Sequence, residues 1–241
     1  MRLSLPVVAV LAAVLPLTVI GCTSGSSAAP DNGAHPTTAA APPAAKLPTG
    51  TQLKGLLAPQ SFFAAGYAPV AASTADSHEA FGTQTTPAPL KPDCTLLGGT
   101  GWFTVTGMNP GKASISFAQA AYLDATTNTE QDQQVFAYSD NGAATQLDAV
   151  GKLAKLCPSY TDPATHSKVK VAEHATSGLG DGGYAITLTD PDWKNGSTLQ
   201  AVRVGTEDVF VYSTSGQDNG ATDATKLAGY LVRQLDGLPR S

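Results

Sequence analysis

Few side chains here carry reactive or ligating chemistry. The 241 residues include three cysteines and four histidines. His35, His78, His166 and His174 stand far apart in sequence, and no Gly-x-Ser-x-Gly elbow or His-Glu-x-x-His pair occurs. Gly178-Leu179-Gly180-Asp181-Gly182-Gly183 has the Gly-x-Gly-x-x-Gly spacing, which cradles a pyrophosphate when a strand precedes it and a helix follows. A strand pattern follows it here, so the run reads as a tight loop whose glycines take positive φ. Asp190-Pro191-Asp192-Trp193-Lys194-Asn195-Gly196 hints at a calcium loop, which needs oxygen ligands at alternate positions and a Glu at the twelfth. Lys194 at the fifth position and Ala201 at the twelfth break that pattern. A turn in which Asp and Asn bond their own backbone explains it better, and Gln217-Asp218-Asn219-Gly220 reads the same way. No catalytic residue, metal site or cofactor is expected, and the protein is not expected to be an enzyme.

The third kind of chemistry is acylation. Met1-Arg2 leads into an apolar run, Leu3 to Ile20, interrupted by Pro6 and Pro16 and followed by Gly21-Cys22 and small polar residues. Residues 1–21 therefore read as a signal peptide. A membrane-spanning helix needs about 20 apolar residues and tolerates proline only where neighbours rescue the backbone. Val19-Ile20-Gly21-Cys22 resembles the lipobox of bacterial lipoproteins, and the resemblance implies diacylglycerol on the Cys22 sulfur and cleavage before it. Two or three long acyl chains hold a protein on a membrane essentially permanently. An ordinary secreted protein with a chance cysteine is the alternative. The expected location is the extracytoplasmic face of the cell membrane.

Residues 22–50 are rich in Ala, Pro, Ser and Thr and have almost nothing large to bury, so they read as a tether reaching about 30 Å. Residues 51–241 form the remaining domain. Hydrophobic residues make up 42% of the chain, enough for a packed core, while charged residues make up 14%. The 14 Lys and Arg against 19 Asp and Glu give −5, with no basic block. Nucleic acid is excluded as a partner on that balance. With Cys22 acylated and the domain exported, Cys94 and Cys157 are left for one intrachain disulfide. Closing a loop of roughly 64 residues contributes about 4 kcal/mol on the chain-entropy estimate. A nucleophilic or metal-binding thiol is the competing reading, without a Cys-x-x-Cys or an adjacent His to support it.

The elements follow from periodicity. Leu53, Leu56 and Leu57 suggest a short helix, Phe62, Phe63 and Tyr67 follow it, and residues 71–92 read as a long surface loop. Period-two patterns predict strands at 102–105, 115–121, 135–139, 168–172, 184–188, 199–204 and 208–213, the last two joined as a hairpin through Gly205-Thr206-Glu207. Ala144, Leu147, Val150, Leu153, Ala154 and Cys157 form a helical stripe, with Asp140 or Asn141 as cap and Pro158 as stop. A final helix carries Leu227, Tyr230, Leu231, Val232 and Leu235, capped by Thr222 or Asp223 and ended by Gly237 and Pro239. The expected architecture is α+β, an antiparallel sheet with helices packed on one face. Trp102, Phe103, Tyr184 and Trp193 are the aromatic residues best suited to line an apolar cleft, with ordinary core packing as the alternative.

Taken in order, the Leu-rich helix, the aromatic-Gly segment, Cys94, the paired strands, the Ala/Leu helix ending at Cys157 and Gly178-Leu179-Gly180-Asp181 before a strand resemble a known family. It is the extracytoplasmic sensor domain of actinobacterial receptor Ser/Thr kinases, the PknH-like sensor domain, with its stand-alone lipoprotein relatives. The similarity spans roughly residues 50–237. It implies an α+β fold with a cleft, binding rather than catalysis, and a disulfide carried over onto Cys94 and Cys157. This chain lacks the two cysteines of the second disulfide usual in the kinase sensors, and it carries no kinase domain.

Two functional classes remain. One is a non-catalytic binding lipoprotein, held to the membrane by its lipid and presenting a sensor-like domain to an envelope component or a small apolar ligand. The other is a structural or interaction lipoprotein of the cell envelope that docks on a membrane protein without a small ligand. A concave site with converging aromatic and polar groups marks the first, a flat exposed apolar patch the second.

Overall fold

A computed structural model describes residues 47–83, 93–98 and 114–238. The signal peptide, Cys22, most of the tether, Trp102 and Phe103 lie outside the described residues, as does the strand expected at 102–105. Ten strands form one antiparallel sheet among the described residues: β1 (Tyr67–Pro69), β2 (Ala75–Asp76), β3 (Gly82–Thr83), β4 (Ser114–Asp124), β5 (Thr129–Tyr138), β6 (Ser159–Thr161), β7 (Lys168–Thr176), β8 (Gly182–Thr189), β9 (Ser197–Val204) and β10 (Glu207–Ser213). The order is β1-β4-β5-β10-β9-β8-β7-β6, with β2 and β3 also pairing with β4. The helices are α1 (Gly50–Lys54), α2 (Gly142–Val150), α3 (Leu153–Leu156) and α4 (Ala221–Asp236). From β6 to β10 the chain is a meander, and the long β4–β5 hairpin joins it through β10.

The α+β antiparallel architecture is the one expected, but the helices do not share a face. Val209 and Val211 of β10 pack with α4, whereas Phe210 and Tyr212, which alternate with them, pack with α2 and α3. Val135 and Ala137 of β5 likewise turn to the α4 side, and Phe136 and Tyr138 to the other. A strand that is apolar at successive positions buries both faces. Such a run needs cover on each side, and the two groups of helices supply it. On α4, Leu227, Leu231 and Leu235 recur every four residues, so all three point at the sheet and are fully buried. On the opposite face the disulfide joins Cys94, at the start of a 3-10 turn (Cys94–Gly98), to the buried Cys157 that follows α3.

Two further differences have local causes. The helix expected as one stripe from Ala144 to Cys157 breaks at Gly151-Lys152. A Cβ at Gly151 would stand 2.4 Å from the Tyr184 ring, so β8 presses directly on the helix backbone there. The expected loop over 71–92 contributes β2 and β3 to the outer edge of β4. Around it, α1 carries a capping box between Thr49 and Gln52, and its Lys54 bonds Asp76 at 3.0 Å, tying the first helix to β2. Lys54, the His78 backbone N–H and the His78 ring hold the Asp76 carboxyl below the usual carboxylate range.

β5 also buries a polar run, Gln131, Asp132, Gln133 and Gln134. Gln133 is satisfied by both backbone groups of Ala58, as acceptor at 2.8 Å and donor at 2.9 Å. Asp132 is different: burial, reinforced by Glu130 beside it, pushes its carboxyl up to about 8, and its Oδ1 has no hydrogen-bond partner among the described residues. The folded chain thus keeps a proton that the unfolded chain releases near pH 4. Stability is full below that pH and declines as pH rises toward 8. Asp132→Asn, which keeps a donor toward Glu130, is expected to raise stability at pH 8 on the order of 1–2 kcal/mol and to change little at pH 4.5. Urea unfolding at the two pH values checks this, and equal effects at both would remove the protonation argument.

Candidate functional site

At one end of the sheet, on the α4 face, a cavity of about 440 Å³ opens between the segment 60–67, the β4–β5 turn, the 194–195 turn and the start of α4. Its volume lies in the range of ordinary ligand sites, roughly 300–1,000 Å³. One wall is aromatic. Phe63 stacks on Tyr122 with centroids 4.1 Å apart, meets Phe62 edge-on at 5.3 Å and lies 6.0 Å from Tyr67. Phe62, half-buried, also touches Tyr230 of α4, and the Lys226 ammonium sits 5.1 Å from its ring centre.

The floor is polar and connected. Gln131 Nε2 donates to Ser215 Oγ at 3.4 Å, and Ser215 Oγ donates to Asp223 in the first turn of α4. Tyr67 and Thr129 share a hydrogen bond of 2.9 Å, and Thr127 reaches Thr129 at 2.7 Å. The loop supplying Ser215 is pinned to β5, because the Glu130 N–H donates to Thr214 Oγ1 at 2.7 Å and the Thr214 N–H donates to the Glu130 carbonyl at 3.0 Å. Asp124 closes the turn side, its carboxyl held low chiefly by the Thr126 N–H. Lys194, Lys226, Asp124 and Asp223 all line the cavity, so the formal charges of the lining cancel.

A second cavity, about 410 Å³, lies on the other face beside α2 and is lined by Leu147, Asp148, Thr176, Asp181, Tyr184 and Arg203. The glycine run forms one side of it, a loop rather than a phosphate cradle: Gly178, Gly180 and Gly182 take positive φ. Asp181 Oδ2 accepts the Gly205 N–H at 2.7 Å, latching this loop to the β9–β10 hairpin. Asp208 is fully buried beside Tyr138, and burial pushes both groups above their ordinary values.

The aromatic residues expected to line a cleft are placed apart. Tyr184 lines the second cavity, and Trp193 packs on the α2 side with its indole N–H donating to Asp162 at 3.3 Å. Neither lines the larger cavity. The 190–196 stretch is a turn, with the Asp192 N–H on Asp190 Oδ1 at 2.8 Å. His78 pairs with Asp76, His166 sits in the β6–β7 turn and His174 stands exposed on β7, so these three do not converge. Among the described residues no group of three or more His, Cys, Asp or Glu is placed to hold a metal ion.

No protein-family model matches the chain, and no curated protein sequence matches it. A solved structure does. The extracellular domain of PknH from Mycobacterium tuberculosis superposes with a TM-score of 0.55 at 12% identity, over 80% of this chain and 99% of that one. At that identity the likeness is one of fold. It agrees with the α+β architecture that the sequence resemblance implied, and the Cys94–Cys157 bridge is present as expected.

The aromatic wall and polar floor were not singled out as a site from the sequence. Phe62, Phe63 and Tyr67 read there only as a segment after α1. The available signal was their company: an aromatic cluster next to Gly66, and a Gln-Asp-Gln-Gln run inside a strand where alternation should have put every second polar residue in water.

Proposed function

We propose that the protein is a non-catalytic binding lipoprotein, anchored through Cys22 on the extracytoplasmic side of the membrane, with the 440 Å³ cavity as the seat for an envelope component. The observation that carries the reading is the pairing of a packed aromatic wall with a preorganised, buried polar floor in one concavity. Ordinary core packing gives no reason for Gln131, Ser215 and Asp223 to be linked beneath an opening. The fold shared with an extracellular domain and the disulfide both support export, since such bridges persist in oxidising compartments. The polar floor favours an amphipathic occupant over a wholly apolar one.

Anchoring and binding are tested separately. In an actinobacterial host grown with an alkyne-tagged palmitate, the wild-type chain is expected to take up label and fractionate with membranes, and Cys22→Ala to lose both. Membrane retention of an unlabelled wild-type chain would overturn the anchor. Native mass spectrometry of the released domain is expected to show an added mass that is absent from Thr127→Trp, in which an exposed turn residue is enlarged to block the cavity. A clean unliganded mass in repeated preparations would favour a structural or docking role instead.

A further inference from the structure

We infer that the occupant of this cavity presents a pyranose ring, that is, the site is a carbohydrate site. The inference rests on the cavity being a ligand site, and three features of the lining select the class. First, Phe62 is only partly buried, so the part of its ring left uncovered by Lys226, Phe63 and Tyr230 offers apolar, electron-rich surface at the wall. The C–H side of a sugar ring is apolar and slightly positive, which suits such a face. Second, the polar groups are mostly of the kind that both donate and accept: the amides of Gln131 and Asn195 and the hydroxyls of Thr127, Thr129 and Ser215. A ring of hydroxyls, each itself donor and acceptor, matches that inventory. Third, the lining balances two carboxylates with two ammoniums, so it has no net pull on a charged ligand.

The same lining argues against the other common classes. An anionic head group at the start of α4 meets Asp223 of the lining in the first turn, and the Asp218 carboxylate just outside the lining already accepts the Thr222 N–H at 2.8 Å. Both oppose what the helix dipole would otherwise favour. A fatty acyl chain lying on the floor would strip Thr129, Gln131 and Ser215 of water without replacing their bonds. A neutral polyol avoids both penalties, and the volume admits one or two rings.

The test uses saturation-transfer NMR on the folded domain with maltose, cellobiose and N,N′-diacetylchitobiose, beside dodecyl maltoside below its micelle concentration and palmitate. At least one disaccharide is expected to give saturable transfer to its ring protons, with a Kd of roughly 0.1–1 mM. Phe62→Ala and Gln131→Leu are each expected to weaken it at least tenfold. Thr127→Trp repeats the test at an exposed position where folding is not at risk. Dodecyl maltoside binding tenfold tighter than maltose would mark a glycolipid as the source; equal affinity would mark a free glycan. If palmitate binds and no sugar or glycoside does, or if glycoside binding survives Gln131→Leu, the carbohydrate class is overturned while the cavity remains a ligand site. If no probe binds and the native mass is unliganded, both fall together.

Discussion

Replacing both Cys94 and Cys157 by Ala, or reducing the bridge, is expected to lower the thermal midpoint of the domain by roughly 10 °C. The two residues are 63 apart in sequence and 5.6 Å apart between Cα atoms, and the segment between them contains the whole β4–β5 hairpin and both α2 and α3. Restricting the unfolded chain over such a loop contributes about 4 kcal/mol in the entropy picture, and native bridges of this kind typically contribute 2–5 kcal/mol. For a domain of this size each kcal/mol moves the midpoint by about 2–4 °C. The native side of the balance matters as well. Cys157 is fully buried, and Leu97 beside Cys94 is fully buried in the same cluster as Leu153. Without the bridge the turn at 94–98 loses its covalent hold on that cluster. Differential scanning calorimetry with and without reductant checks this. The doubly substituted chain is expected to melt where the reduced wild type does. A midpoint indifferent to reductant would mean that sheet pairing alone already fixes the loop.

What was legible in the sequence is what local pattern dictates. The Leu227, Leu231, Leu235 stripe reads as a helix with one buried side, and with Cys22 expected to carry lipid the other two cysteines had only each other as intrachain partners. The Val-Phe-Val-Tyr run of β10 was legible as a strand, and its continuous apolarity already demanded cover on both faces, a consequence the expected single-faced arrangement did not draw. What escaped were effects that arrive from far along the chain. Gly151 breaks the predicted helix because Tyr184, 33 residues later, presses on it. Gln133 can be buried because Ala58, 75 residues earlier, satisfies it. The wall of the cavity is built from residues 62–67 and its floor from residues 129–131 and 215, and no periodicity joins those stretches. The start of α4 shows the same limit at short range. Thr222 and Asp223 looked like caps, but the Asp218 side chain reaches forward to the Thr222 N–H, leaving Gly220 as the boundary residue.

Gly220→Ala is therefore expected to be among the most damaging single-methyl additions in the chain, and its comparison with Gly216→Ala separates two causes. Both glycines have a φ of 80°. An L side chain in that conformation costs about 1–2 kcal/mol, because its Cβ crowds the local backbone. At Gly216 little else is added, since the nearest atom to a new Cβ is a side-chain oxygen, Asp218 Oδ1, at 3.2 Å rather than backbone. At Gly220 the new Cβ would stand 2.2 Å from the Ser213 carbonyl oxygen and 2.6 Å from its carbon, both backbone atoms of β10. The strand cannot yield without losing its pairing to β5 and β9, so the loop must move instead. Overpacking of this kind costs a further 1–3 kcal/mol. Urea unfolding is expected to show a loss of about 3–4 kcal/mol for Gly220→Ala and about 1 kcal/mol for Gly216→Ala. Equal losses would show that the backbone angle alone decides and that the approach to Ser213 does not matter. The distinction extends to binding, because Gly220 sets where α4 begins and hence where Asp223 and Lys226 meet the cavity. Under conditions where both variants stay folded, Gly220→Ala is expected to weaken occupancy of the cavity by shifting those two side chains together, and Gly216→Ala to leave α4 in place.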